Sequence, residues 1–362
     1  MFTPFGRVLR LTDCLAIGLA ALFALDRLWK MAAVVHFFRR PAPPPPATGW
    51  PTVTILSPIT RGASNLPHVL ACRGRLHYGG KVQQLLLCDA ADAESQQVCT
   101  AWLATQPAAD HQLIRVAAAR PIATKIEKFN AALPYATGEV LCFVDDDVAL
   151  RPASLTTLLP YLYTQGAGAV FGLACYTAWH NLPTSLMSSF VNSNALLSYI
   201  PLCYLTPPFT ITGHCFALRR VIFDAAGGFT DMAGRLDDDH ELARRVRALG
   251  QRVVQTPLIY DVENHFASLA AYAIQMKRWF VFPQQMMMPT MSRREQAVMA
   301  LGSLNQLLLP LLALLALLTR RRCALLAFGS STLLFTLVNG LCERVYLGHP
   351  TPPRWWPLVL IS

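Results

Sequence analysis

Acidic side chains cluster in this chain where mutual repulsion would ordinarily keep them apart. Val140-Leu-Cys-Phe-Val-Asp-Asp-Asp-Val148 is an apolar run that ends abruptly in Asp145, Asp146 and Asp147. Adjacent carboxylates need a cation or solvation to offset their repulsion. Asp145 and Asp147 can both reach one divalent ion, and a hard ion such as Mg2+ or Mn2+ prefers carboxylate and phosphate oxygens. The spacing therefore predicts a metal shared between the protein and a diphosphate. The competing reading is a solvated turn that caps a following helix, for which Arg151-Pro-Ala-Ser154 looks like a start. A second acidic group, Asp89 and Asp92, follows the apolar run 83–88. A third, Leu236-Asp-Asp-Asp-His-Glu-Leu-Ala243, puts four carboxylates at a helix start, more than the macrodipole alone accounts for. Further on, Gln275-Met-Lys-Arg-Trp279 sets Gln275, Arg278 and Trp279 on one helical face. An amide, a guanidinium and a large ring pointing together suit a phosphate beside a sugar or an apolar acceptor.

The elements that must position these groups alternate. Strands are expected at 51–57, 83–88, 112–116 and 140–144, with helices at 65–76, 95–105 and 126–133, the last carrying Lys125, Lys128 and Asn130 near its start. Strands alternating with helices imply an α/β domain with a largely parallel sheet, which gathers ligands at its strand ends. The acidic groups after 83–88 and 140–144 stand at such ends. No G-x-G-x-x-G follows any strand, so a dinucleotide-binding fingerprint is absent.

Composition adds a membrane. With 362 residues, 53% hydrophobic, 14% charged and a mean hydropathy of +0.35, the chain is too apolar for an ordinary soluble enzyme. Residues 1–40 read as a membrane anchor, 41–50 as a stiff proline-rich linker, 51–290 as a cytoplasmic domain and 291–362 as a C-terminal transmembrane region. In the last, 297–318 and 323–341 are apolar enough to span, and a further apolar run begins at Trp355. Basic residues at Arg27, Lys30, Arg39 and Arg40 outnumber Arg7 and Arg10 on the other flank, which places the domain in the cytoplasm. Residues 181–212 lack charge but contain several prolines, and are expected to dip into the membrane interface, with a core helix and strand as the equal alternative. The net charge of +10 is spread as flanks rather than a stripe, favouring anionic lipid and phosphate over nucleic acid. Ten cysteines without C-x-x-C or metal-ligand spacing read as reduced core residues.

Taken together, the acidic pair, D-D-D, D-D-D-x-E and Q-x-x-R-W, in that order, resemble family-2-type inverting glycosyltransferases. The similarity is greatest to the ceramide glucosyltransferase branch, family 21, which includes bacterial hopanoid-associated enzymes. It covers about residues 50–290 and extends to the membrane layout. The resemblance implies a GT-A-like nucleotide-diphospho-sugar transferase domain flanked by transmembrane helices, with a UDP-sugar donor, a lipid acceptor such as ceramide or a hopanoid, and Mg2+ or Mn2+. By the same resemblance, Asp89 or Asp92 contacts the uridine, Lys128 of a K-x-N element the donor, and Asp145 with Asp147 the metal and diphosphate. Asp239 becomes the base, Arg278 and Gln275 border the diphosphate, and Trp279 and His214 border the acceptor. A processive polysaccharide synthase sharing Q-x-x-R-W and a non-catalytic membrane scaffold are the rival expectations.

Overall fold

The computed structural model describes residues 4–60, 65–106, 110–117, 123–232, 235 and 237–359. Leu236 of the third acidic group and the end of the last apolar run lie outside the described residues. The chain divides into two compact units, residues 41–188 with 207–291, and residues 1–40 with 189–206 and 292–362.

The first unit is built on strands β1 (Val53–Pro58), β2 (Val82–Asp89), β3 (Gln112–Val116), β4 (Val140–Val144), β5 (Val148–Ala149), β6 (Ala167–Tyr176), β7 (Cys215–Arg219) and β8 (Arg252–Val262). They form a sheet in the order β3-β2-β1-β4-β7-β6-β8-β5. Every residue of β1 and β4 is buried, as expected of central strands covered on both faces. Phe129, Phe143, Phe216, Phe223 and Phe229 pack together as the aromatic heart of the core.

The sheet is mostly parallel, as expected, with two strands running against the rest. β3, β2, β1 and β4 run parallel, as do β6 and β8. β7, however, lies antiparallel between β4 and β6, and β5 is antiparallel to β8. An antiparallel strand begins where its neighbours end. β7 therefore delivers the residues just before it, Gly213 and His214, to the edge where β4 releases its aspartates.

Strands β6 and β8 were not expected. β6 is rich in Ala and Gly, poor strand formers, and β8 contains Pro257, which removes a ladder donor. Both oddities meet at one irregularity, where Phe171 pairs with Gln255 but Leu173 with Ile259, leaving Pro257 in a bulge. A Cβ on Gly172 would stand 2.8 Å from the Leu258 carbonyl oxygen, so the bulge requires glycine there.

Helices, in chain order, are α1 (Pro4–Arg39), α2 (Leu66–Arg73), α3 (Ala93–Leu103), α4 (Lys125–Ala132), α5 (Ser154–Leu158), α6 (Leu182–Leu205) and α7 (Arg220–Ala225). They continue with α8 (Asp238–Ala248), α9 (Leu269–Phe282), α10 (Arg293–Gln306), α11 (Leu308–Thr319), α12 (Arg322–Cys342) and α13 (Trp356–Val359). The charge-free segment 181–212 is largely the single helix α6. Pro183 sits in its first turn, where a missing N–H costs nothing, and Pro207 and Pro208 follow its end, so Pro201 alone is interior.

In the second unit, α1 and α12 run side by side in the same direction. Asp13 meets Arg321, Phe23 meets Phe335, Met31 meets Cys342 and Phe38 stacks on Tyr346. The expected span 297–318 is broken at Leu307 into α10 and α11. At 1.5 Å per residue the 12 residues of α11 reach about 18 Å, short of a bilayer core. Among the described residues one helix, Arg322–Leu347 with a mean hydropathy of 1.6, is long and apolar enough to cross a membrane. α1 is long enough but carries Asp13, Asp26, Arg27 and Lys30. These last three are buried together, with Asp26 Oδ2 taking Arg27 at 2.6 Å and Lys30 at 3.0 Å while Oδ1 accepts from Asn305 at 2.7 Å. Removing the shared anion strands two buried cations. Asp26→Ala is expected to destabilise this helical unit by about 3–5 kcal/mol, seen as a lowered thermal midpoint in detergent, whereas Asp13→Ala at the more exposed pair shifts it little.

Candidate active site

Strand order reverses between β1 and β4, since β2 and β3 continue to one side of β1 and β4 lies on the other. In open α/β sheets the crevice outside the C-terminal ends of strands flanking such a point holds the ligand. The aspartates after β4 occupy that place, and four backbone ties fix their loop. Thr60 N–H, just past β1, donates to the Asp146 carboxylate, and Asp145 N–H donates to His214 O at 2.9 Å. Arg73 Nη2, at the end of α2, donates to Asp145 O at 2.9 Å, and Glu263 N–H to Asp147 O at 3.0 Å.

These ties sort the three carboxylates. Asp146 turns inward and is buried on Thr60. Asp145 and Asp147 remain. Asp147 Oδ1 is buried and accepts no hydrogen bond among the described residues. Burial pushes both carboxyls above their ordinary range, opposed at Asp145 by the charge of Lys125 and reinforced at Asp147 by Asp145 and Asp146.

Lys125 is the cation of the site. It opens α4, whose start is fixed by a reciprocal cap between Thr124 and Glu127. Its Nζ stands 2.7 Å from Asp145 Oδ1 and donates to Gly213 O at 2.9 Å. From the third acidic group, Asp238 and Asp239 lie within electrostatic reach and help to raise the lysine's pKa against the opposing effect of burial, which is the largest single influence. Asp239 abuts Gly213 so closely that a Cβ there would fall 3.0 Å from its Oδ2. Burial, then the Asp238 charge, pushes the Asp239 carboxyl up to about 7, with Lys125 opposing. The other two acids of this group are already committed. Asp237 pairs with Arg235 at 2.8 Å, and Glu241 holds Arg244 and Arg245 at 2.8 and 2.9 Å, Arg244's hydrogen bonds above all depressing its carboxyl to about 2.

His214 Nε2 lies 3.3 Å from the Tyr176 hydroxyl. Burial, with the charges of Lys125 and Arg278, pushes its pKa down to about 4, so it is neutral near pH 7 and no phosphate-binding cation. Arg278 is exposed on α9, with Gln275 and Trp279 half-buried beside it, and its charge reaches His214 and Tyr176.

Asp89, Asp92 and Lys128 form a separate group on the far side of β1. Asp89 Oδ2 is 2.9 Å from Lys128 Nζ, and its Oδ1 accepts from Ala123 N–H at 2.7 Å. Lys128 also donates to Ile59 O at 2.6 Å. Both side chains are buried, so the ammonium is spent inside the protein. Asp92 caps α3 through Ser95 N–H at 3.2 Å, leaving its Oδ2 buried without a partner among the described residues.

Two residues of the site are given no role by the sequence reading. Lys125 lies one turn before Lys128 in the same helix, and only the helix register decides which of the two meets the β4 carboxylates. Its one sequence signal is a cation in a first turn, against the macrodipole. Arg73 ends an ordinary short helix and carries no signal at all. As for a metal, no group of three or more carboxylate, histidine or cysteine side chains suited to an ion occurs among the described residues. Asp145 and Asp147 supply two carboxylates, and the partnerless Asp147 oxygen is the atom an ion would satisfy. The donor set therefore fits a hard cation that takes its remaining ligands from phosphate and water.

A model of glycosyl transferase family 21 matches residues 14–362. Among solved structures, a mannosyltransferase from Pyrobaculum calidifontis in complex with GDP-Man and Mn2+ is similar over 92% of this chain and 99% of its own, at 16% identity and a TM-score of 0.50. A glucosyl-3-phosphoglycerate synthase from Mycobacterium tuberculosis, in complex with Mn2+, UDP and glucosyl-3-phosphoglycerate, is similar over 64% of this chain and 79% of its own, at 16% identity and a TM-score of 0.40. The first likeness supports a GT-A-like fold.

The Asp239 environment makes a test that needs no substrate. Its native pKa near 7 lies above the ordinary 3.8, so the folded state gains stability from holding this proton. That gain is complete below about pH 4 and is lost as pH rises through about 7. Asp239→Asn does not titrate, so thermal midpoints measured across this range are expected to show the variant gaining on wild type by several degrees as pH rises.

Proposed function

The chain belongs to glycosyl transferase family 21, and we propose that, as a glycosyltransferase, it moves a hexose from a UDP-sugar to a hydroxyl group of a membrane lipid, with inversion at the anomeric carbon. The observation that carries this reading is the meeting of Asp145, Gly213 and Asp239 around Lys125 at the switch point of the sheet. One side of that meeting suits a diphosphate and the other a base.

In the proposed reaction Asp239 takes the proton from the acceptor hydroxyl as its oxygen attacks the anomeric carbon. The bond from that carbon to the β-phosphate oxygen breaks in line, and its electron pair leaves with the diphosphate. Lys125 and Arg278 face the developing charge. Asp145 and Asp147 would hold a divalent ion, Mg2+ or Mn2+, which when bound supplies Lewis-acid stabilisation of the diphosphate. The Pyrobaculum mannosyltransferase, solved with Mn2+, is in keeping with this. At the end of β2, Asp92 Oδ2 is the acceptor left for the uridine, since both Asp89 oxygens are engaged by Lys128 and Ala123 N–H. Lys128 then acts by holding Asp89 and not by touching phosphate. Neutral His214, with Gln275 and Trp279, borders the acceptor.

A lipid acceptor is supported by the helical unit. Leu11, Leu15, Ile17, Leu22, Leu25 and Leu28 on α1 are exposed, as are Leu325, Leu326, Leu333, Leu337 and Leu341 on α12. Such a belt is unfavourable in water and at ease in a bilayer. We place α1 and α12 in the membrane and the sheet unit on its cytoplasmic face. Ceramide and a hopanoid are the acceptor types to test, with glucose and N-acetylglucosamine as sugars.

The full chain in lipid vesicles, given radiolabelled UDP-glucose or UDP-N-acetylglucosamine, should yield label that extracts into organic solvent. Turnover should rise with pH through about 7 as Asp239 ionises. Asp239→Asn and Asp145→Ala should each lower it by a factor of about 10²–10⁴ while the protein stays folded, and a chelator should abolish it until Mg2+ or Mn2+ is restored. Insoluble polymer as the product, or full turnover in both variants, would overturn the proposal.

A further inference from the structure

Lys125 is oddly placed for its own helix. A cation at the first residue of α4 opposes the macrodipole, yet the Thr124–Glu127 cap fixes the backbone so that the side chain projects from there. What compensates is Asp145 Oδ1 at 2.7 Å and Gly213 O at 2.9 Å. Neither partner is sealed off, since the Lys125 side chain is 30% exposed and that of Asp145 24%. A ligand in the crevice can reach the exposed parts of both, although the Asp145 Oδ1 that meets the ammonium is itself buried. The neighbouring Asp147 Oδ1 has no partner among the described residues. One of the two carboxylates available to a divalent ion is thus already occupied by an ammonium, and the other keeps a buried oxygen without a partner among the described residues.

We propose that Lys125 is a placeholder cation, holding Asp145 in position while the site is empty, competing with a divalent ion for that carboxylate, and turning to the donor's diphosphate when ion and nucleotide bind together. The inference rests on the metal assignment above and deepens it. An ammonium on a flexible four-carbon stem can exchange one oxygen anion for another without moving the backbone. Gly213 O supplies a fixed second anchor through the exchange. The exchange has consequences of opposite sign for two ligands. Free metal binds against the ammonium, whereas a nucleoside diphosphate binds with its help.

The test is a Mn2+ titration of the full-length protein in detergent, followed by the electron paramagnetic resonance signal of free Mn2+, first alone and then with UDP. Lys125→Met is expected to tighten Mn2+ binding in the absence of nucleotide by about tenfold and to weaken UDP binding at saturating Mn2+ by a similar factor. Lys125→Arg, which keeps the charge, should stay within about twofold of wild type in the Mn2+ titration. If Lys125→Met fails to fold, Lys125→Gln, which can still donate to Gly213 O, serves in its place. Mn2+ affinity that is unchanged or weaker in the neutral variant overturns the placeholder role alone, provided Asp145→Asn and Asp147→Asn lose the ion. Wild-type protein that binds no Mn2+, or binds it undiminished in both Asn variants, overturns the metal assignment and this inference together.

Discussion

The site depends on holding like charges together at one edge of a sheet. Asp145, Asp146, Asp147, Asp238 and Asp239 come from two distant stretches of chain, and all are at least partly withdrawn from the water that would ordinarily screen them. Two cations make the arrangement tenable. Arg73 lies beneath, buried, bonded to the Ser57 hydroxyl and the Asp145 carbonyl, with its charge lowering the Asp145 pKa from below. Lys125 lies on the open side and touches the same carboxylate directly. Because Arg73 holds the backbone of Asp145 and Lys125 meets its carboxylate, the loop after β4 keeps a backbone tie whichever oxygen the upper cation engages. The negative charge that remains is what the proposed divalent ion would neutralise.

Much of this was legible in the sequence. The strands at 83–88, 112–116 and 140–144 are apolar or β-branched runs bounded by polar residues, and each appears within a residue of its expected ends. The acidic clusters stood out because no cap or solvated turn needs so many carboxylates. What sequence could not supply was the division of labour inside each cluster. Spacing set Asp145 and Asp147 apart from Asp146, but not what each one touches, the Thr60 amide on Asp146 and the Lys125 ammonium on Asp145. Asp237 and Glu241 likewise look available until Arg235, Arg244 and Arg245 are seen to hold them. Lys128 drew notice because it stands in a recognisable pattern, yet its partner Asp89 lies 39 positions away. The strands β6 and β8 were hidden for a different reason, because glycine and proline, ordinarily marks against a strand, here serve a bulge.

The helical unit obeys another constraint. Under the proposed membrane placement its outward leucines face lipid, whereas Asp26, Arg27, Lys30 and Asn305 form a polar knot between helices. In such a medium, ionisable groups persist where they satisfy one another. Those charges interrupt the apolar run of α1, although they are turned inward, away from its exposed leucines. The break at Leu307 has the opposite effect, dividing a stretch that hydropathy would count as one span.

Because β7 runs against its neighbours, the chain leaves β6 at Tyr176 and re-enters at Cys215 on the same border of the sheet. Residues 177–214 are in effect a cassette plugged into two adjacent sockets. Its two ends are pinned, Thr177 N–H to Val262 O and Asp145 N–H to His214 O, so only the stretch between them is free of the strands that carry Asp89 and Asp145. That inner stretch, bounded by two fixed points on one border of the sheet, is a natural place for a protein engineer to graft.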